Sequence, residues 1–359
     1  MSAAAAAHAF VLPPALEAHE PPEARGVARD RVRLLVAERD SGAIAHRRFD
    51  ELPAILAPGD LLVVNTSPTL PAAIDVAGAP LQLRFSTPAP QLPGGWHVVE
   101  VRARGGVAPV RAGTVAAGRR LALAGGGAAV TLVAPYAAST RLWVAQVELA
   151  DPDATLHGYL ARHGAPIRYG YVPAAWPLGD YQTAFAQGAG EGDEGAGSAE
   201  MPSAARPFTP RLVTRLVVAG VLFAPLALHA GVSSPERHEP PFPEPYAIPE
   251  ATARLVDAVR GWGGRVIAVG TTAVRALETT AGRDGRVAAG AGWTRRIITP
   301  QHPPRAVDGL ITGWHEPEAS HLDLLEAIAG PELLAASYRA ALEQGYLWHE
   351  FGDSHLVLP

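Results

Sequence analysis

Apolar positions along the chain follow two different periods. In RVRLLVAE (31–38) and in Leu61–Val64 of FDELPAILAPGDLLVVN (49–65), they form short runs with turn residues on either side. Such runs predict strands, the one over Leu61–Val64 buried. DATLHGYLARHG (153–164), IPEATARLVDAVRGWGG (248–264) and PELLAASYRAALEQGY (331–346) instead repeat at helical spacing. Pro249 then falls in the first turn and Gly261 past the end of the second helix; Leu334, Tyr338, Ala341 and Leu342 share a face of the third. RVIAVGTTAVRALETT (265–280) holds both periods: a buried strand over Val266–Val269, a break at Gly270-Thr271-Thr272, then helical spacing over Ala273–Thr280, with Val274 and Leu277 on one face.

Between residues 74 and 149 the pattern is entirely of the short β type. The runs are PLQLRF, WHVVEVRA, RLALAG, AAVTLVAP and RLWVAQVEL, separated by Gly- and Pro-rich turns. This predicts a small antiparallel β-barrel or sandwich inserted into an α/β main domain that occupies 1–73 and 150–359. QGAGEGDEGAGSAE (187–200) offers almost nothing to pack and reads as a flexible acidic loop.

Composition narrows the chemistry. The 359 residues are 48% hydrophobic and contain no cysteine, which excludes disulfides, thiolate nucleophiles and cysteine-ligated metals. A cytoplasmic location is expected, since no apolar run approaches the ~18 residues of a membrane span and the alanine-rich start lacks a basic n-region. All 30 basic positions are arginine, and the net charge of −5 argues against a protein coated in nucleic acid. It leaves room for a local patch, such as Arg25, Arg29, Arg31 and Arg33, or Arg47 and Arg48, or Arg295, Arg296 and Arg305. His-Glu-x-x-His, Gly-x-Gly-x-x-Gly after the first strand, Walker and Gly-x-Ser-x-Gly motifs are all absent, so no metal is expected.

The strand-to-helix junction has two readings. A threonine there can simply cap the helix, with Arg275 and Glu278 as an ordinary surface pair. Alternatively, the helix N-terminus offers free N–H groups to an anion, Gly270 admits a ligand close to the backbone, and a threonine hydroxyl adds a donor.

AVGTTAVRALE, GWTRRIITP and AVDGLITGWHEPEASHLDLLEAIAG resemble the C-terminal half of the S-adenosylmethionine:tRNA ribosyltransferase-isomerases of queuosine biosynthesis. LPPALEAHEPPEAR, YQTAFA, LALHAGV, YAIPEATA and YRAALEQGYLWHEFGDSHLVL are similar to that family in the same order, so the resemblance spans nearly the whole chain. It implies an α/β main domain carrying an inserted β-barrel. It further implies S-adenosylmethionine as co-substrate without a metal, and transfer of its ribosyl moiety to a 7-aminomethyl-7-deazaguanine base in tRNA to give epoxyqueuosine. The partner would be tRNA or a small nucleoside-like acceptor, and a monomer is favoured.

By the same resemblance, His229 and His315 are the candidates for proton transfer, and Gly270, Thr271, Thr272, Arg275 and Glu278 for holding S-adenosylmethionine. Asp308 also matches, although aspartate before glycine often only makes a turn, and Asp353 in WHEFGDSHL is a candidate orienting carboxylate or equally a turn former. The strongest family motifs are altered. Asn-Asp-Thr-Arg-Val-Ile-Pro-Ala-Arg appears as NTSPTLPAA (65–73), so Pro68 and Ala73 stand where arginines are expected. Pro-Thr-Ala-Gly-Leu-His-Phe-Thr becomes PSAARPFT (202–209), with Pro207 in place of histidine; the glycine-rich Val-Gly-Leu-Gly-Thr-Phe becomes AGVSSP (230–235). Proline neither pairs with a phosphate nor exchanges a proton. These changes suggest a divergent paralogue, with an altered acceptor or with ligand binding but no catalysis as alternatives.

Overall fold

A computed structural model describes residues 10–105, 110, 114–137, 139, 141–187, 196–233, 241–317 and 319–359. Two sheets organise them. The larger has nine strands: β1 (Arg33–Glu38), β2 (Ile44–Arg48), β3 (Leu61–Asn65), β10 (Leu222–Leu228), β11 (Glu244–Ile248), β12 (Val266–Val269), β13 (Gly290–Thr294), β14 (Gly309–Gly313) and β15 (Ser354–Leu358). Their order is β13-β11-β10-β3-β12-β14-β15-β1-β2. The centre, β10-β3-β12-β14, is parallel, whereas β15 runs antiparallel to β14.

The uninterrupted apolar runs are explained by burial on both faces. Leu61, Val63, Val266 and Ala268 point into one core, which also takes Val256, Val274, Leu277 and Leu325. The alternate residues Leu62, Val64, Ile267 and Val269 point into the opposite core with Phe49, Leu52, Phe208 and Leu212. The helices covering these faces are α1 (Leu52–Ile55), α3 (Pro210–Val218), α4 (Glu250–Gly261), α5 (Thr271–Thr280), α6 (His321–Ala329) and α7 (Pro331–Glu343), while α2 (Leu156–His163) packs beside the smaller sheet. Helix α4 includes Gly261, which the sequence places beyond its end; the chain turns one step later, through Gly263 at φ +82°.

The smaller sheet is antiparallel, in the order β4-β5-β6-β9-β8-β7. Its strands are β4 (Ala73–Asp75), β5 (Leu81–Pro88), β6 (Trp96–Ala103), β7 (Arg120–Ala122), β8 (Ala128–Pro135) and β9 (Leu142–Leu149). It curls until its two edges meet at an isolated Val76–Leu123 bridge, with Ala77 N–H donating to Ala122 O at 2.8 Å. Leu83, Phe85, Val99, Val130 and Leu132 fill its concave core. Among the described residues, no helix is long and apolar enough to cross a membrane.

The tract at 187–200 departs from its sequence reading. Residues 188–195 lie outside the described residues, but 196–200 are packed rather than loose. Ser198 is fully buried; its N–H donates to Pro68 O at 2.8 Å, and its carbonyl accepts from Leu70 N–H at 2.8 Å. Backbone pairing, which leaves no hydrophobic period, anchors this segment against 67–70.

Candidate active site

A cleft of about 640 Å³ opens at the carboxyl ends of the parallel strands, between the large sheet, the 199–204 segment and the end of β5. That is where open α/β sheets hold ligands. Of the seven residues singled out in the sequence, Gly270, Thr271, Thr272, Arg275 and His315 line it.

Gly270 is the N-cap of α5, at φ +94° and ψ +152°, a conformation that essentially only glycine adopts. A Cβ there would come within 3.4 Å of Ala204 Cβ and of Thr272 Oγ1. The helix therefore starts at Thr271, two residues before its apolar period does, and no side chain caps it. Its first amides have no intrahelical acceptor by geometry. The capping reading of the two threonines is thus replaced by one in which both line the cleft. Thr272 Oγ1 receives a long 3.4 Å bond from Asn65 Nδ2, while fully buried Asn65 also bonds Leu228 N–H and O, tying β3 to β10 at the cleft floor.

Arg275 and Glu278 do not form a surface pair. Both are buried, and each has other partners. Arg275 pairs with Glu244 and donates to Phe242 O at 3.0 Å and Arg296 O at 3.1 Å. Glu244 in turn accepts Gly231 N–H at 2.9 Å. The guanidinium thus fixes one wall of the cleft. Glu278 stands outside the cleft: its Oε1 accepts the N–H groups of Arg305 (2.8 Å) and Ala306 (2.7 Å). Asp308 and Asp353 are likewise backbone staples, accepting from Val266 N–H, and from Arg33 and Leu347 N–H, all at 2.8 Å.

The two candidate histidines differ in position. His229 sits beside the cleft, with Nδ1 2.8 Å from Ser67 Oγ, and is not among the lining residues. His315 lines it, with Nε2 2.9 Å from Thr312 Oγ1 and its ring stacked on His321 at 4.6 Å. Burial, then the neighbouring His321, His349 and His355, hold His315 well below the ordinary imidazole range. His321 falls to about 4 through burial and the nearby Arg275. Both rings are neutral at pH 7.

Sequence reasoning missed the opposite wall. Tyr169 stacks on Tyr171 at 5.6 Å, and Tyr171 on His349 at 3.8 Å. Each tyrosine hydroxyl donates to a carboxylate: Tyr169 to Glu200, and Tyr171 to Glu350 at 2.6 Å. Burial raises Glu200 to about 7 and pushes Glu350 and Glu316 upward as well. Arg84 lies over the Tyr169 ring at 5.3 Å and is ion-paired to the fully buried Glu100. Glu200 lies in a stretch of Gly, Ser and acidic residues, with no signal separating it from solvated acids. Among the described residues, no group of three or more His, Asp or Glu is placed to hold a metal.

Comparison with known proteins accords with this architecture. A family profile described as "Queuosine biosynthesis protein" matches residues 5–357. S-adenosylmethionine:tRNA ribosyltransferase-isomerase of Moorella thermoacetica is 35% identical over 97% of this chain and 98% of its own. The protein of that name from Anaeromyxobacter dehalogenans is 36% identical over 97% of each chain. A crystal structure of S-adenosylmethionine tRNA ribosyltransferase from Thermotoga maritima superposes with a TM-score of 0.54 at 29% identity, over 98% of this chain and all of that one. With the profile covering almost the whole length and relatives above 30% identity end to end, this chain belongs to the queuosine biosynthesis protein family.

Proposed function

We propose that the protein is an S-adenosylmethionine-dependent ribosyltransferase-isomerase. In this reading it transfers and isomerises the ribosyl moiety onto a 7-aminomethyl-7-deazaguanine base in tRNA, giving epoxyqueuosine. The observation that carries the reading is the uncapped start of α5, with Gly270, Thr271 and Thr272 lining a cleft at the ends of the parallel strands. Its volume, about 640 Å³, lies within the range that holds a nucleoside-sized ligand.

The α5 amides and threonine hydroxyls hold the methionine carboxylate, where the helix dipole favours negative charge. The Arg275–Glu244 pair keeps the Phe242–Glu244 and Gly231 wall in place, so its cation is spent on the protein rather than on the ligand. His315 supplies a neutral ring that hydrogen-bonds without a charge of its own. S-adenosylmethionine brings the reactive sulfonium, and the carboxylates of Glu200, Glu316 and Glu350 give the cleft a lining that suits a cation. The same carboxylates, together with Pro68 in place of a phosphate-pairing arginine, favour a second reading: the same co-substrate chemistry on a small acceptor.

Incubation with S-adenosylmethionine and tRNA carrying the aminomethyl base separates these. Adenine released only when tRNA is present is the expected result. Release without tRNA moves the acceptor to a small molecule. Calorimetric binding with no release under any condition makes the protein a non-catalytic ligand-binding member of its family.

A further inference from the structure

The two candidate histidines are poorly placed or poorly tuned for taking a proton. His229 is off the cleft and held by Ser67, and His315 is kept neutral and only weakly basic by burial. Pro207, where the resemblance leads one to expect a histidine, is buried and does not line the cleft.

Glu200, in the same segment as Pro207, does line it. Tyr169 O–H and Ser233 N–H (2.7 Å) both donate to Oε1. Both bonds fall on Oε1, so Oε2 is the oxygen left for a bound molecule. The segment also abuts the ligand end of α5, since Ala204 Cβ is one of the two atoms a side chain at Gly270 would meet at 3.4 Å. Glu350, the other tyrosine-bonded carboxylate, uses Oε2 on Tyr171 and belongs to the loop carrying His349, on the far side of the aromatic stack.

From this placement we infer that Glu200 is the group through which the cleft takes a proton from S-adenosylmethionine, an assignment that rests on the function proposed above. Carbon-bound protons beside a sulfonium are unusually acidic because the positive sulfur stabilises the electron pair left behind. The C5′–H bond breaks, the proton passes to Oε2, and the pair stays on C5′ next to sulfur. No oxidant or further reactant is needed. The two donors on Oε1 fix the carboxylate's orientation and stabilise its charged form. The charged and titratable groups acting on Glu200 are Tyr169, Arg84 and Glu350. With burial they place its titration near 7, where a base is both available and effective.

Deuterium entry at C5′ of S-adenosylmethionine in D2O, followed by NMR with no acceptor present, tests the assignment directly. The wild-type protein exchanges deuterium in, while Glu200→Gln, compared at saturating S-adenosylmethionine, slows exchange by about 100-fold or more. The wild-type rate rises with pH through the Glu200 titration. Tyr169→Phe removes a donor that favours the carboxylate, so it moves that inflection to higher pH; a merely structural loss would lower the rate without moving it. Wild-type exchange in Glu200→Gln, or wild-type binding without exchange, overturns the Glu200 assignment and leaves the co-substrate standing. Absence of binding to the wild type overturns both.

Discussion

Gly270 shows how much one residue decides. Its left-handed backbone turns the chain out of β12 and straight into α5, so that two threonines begin the helix with their amides still open. A side chain at this position would meet Ala204 Cβ and Thr272 Oγ1 at 3.4 Å, and the conformation would strain it. Thr271→Val with Thr272→Val keeps volume and helix while removing both hydroxyls. Each hydroxyl bonded to a charged ligand group contributes about 1.5 kcal/mol or more, so S-adenosylmethionine affinity is expected to fall at least tenfold for each one engaged. Calorimetry beside a thermal melt checks this: unchanged affinity with an unchanged melting temperature would mean that neither hydroxyl meets the ligand.

Helix α5 has different duties at its two ends. The N-terminal turn faces the cleft, whereas Glu278, near the other end, anchors the backbone of Arg305 and Ala306. Burial raises the Glu278 carboxyl, so those two N–H bonds are what keep an acidic group there. Glu278→Ala strands two amide donors and is expected to cost about 1–3 kcal/mol of stability. S-adenosylmethionine affinity should stay as it is, since the side chain is off the cleft; chemical denaturation and calorimetry on one preparation separate the two effects. The contrast marks how far the sequence could be read. The strand at 266–269 and the helix after it were legible because burial on both sheet faces leaves a continuous apolar run, and buried Val274 and Leu277 mark a helical face. That Arg275 and Glu278 face different partners was not legible, since i, i+3 spacing says only that they can meet. The 196–200 segment was illegible for another reason. It is held by main-chain bonds to Pro68 and Leu70, and such bonds leave no mark in side-chain pattern. In sequence, Glu200 is therefore indistinguishable from the other acids of the 187–200 loop.

At the scale of the whole molecule, the sheet brings distant segments of chain to one cluster of buried rings. His315 and His321 stack on each other, His355 stacks on Trp314 at 4.8 Å, and His349 covers Tyr171. Burial holds His355 at about 3 and His349 at about 4, far below the ordinary 6.5. Both ring nitrogens of His355 are buried without a hydrogen-bond partner among the described residues. The sign of the linkage follows. Above pH 6.5 the ring is neutral whether the chain is folded or not, so it adds no pH dependence. As pH falls from 6.5 toward 3 the unfolded chain takes up the proton and the folded one does not, and stability is lost at about 1.4 kcal/mol per pH unit for this group. The raised carboxylates work the other way, because Glu200 gains a proton in the folded state at a higher pH than it does unfolded. The wild-type acid profile is thus a sum of opposed slopes, and a single substitution reads the histidine part alone. His355→Phe keeps the ring stack on Trp314 and removes the titration. Relative to wild type, it is expected to gain about 2 kcal/mol between pH 7.5 and pH 5, beyond any offset already present at pH 7.5 from removing two unpaired nitrogens. Parallel denaturant titrations at the two pH values measure it. A difference between variant and wild type that stays constant with pH would show that His355 takes up its proton in the folded protein.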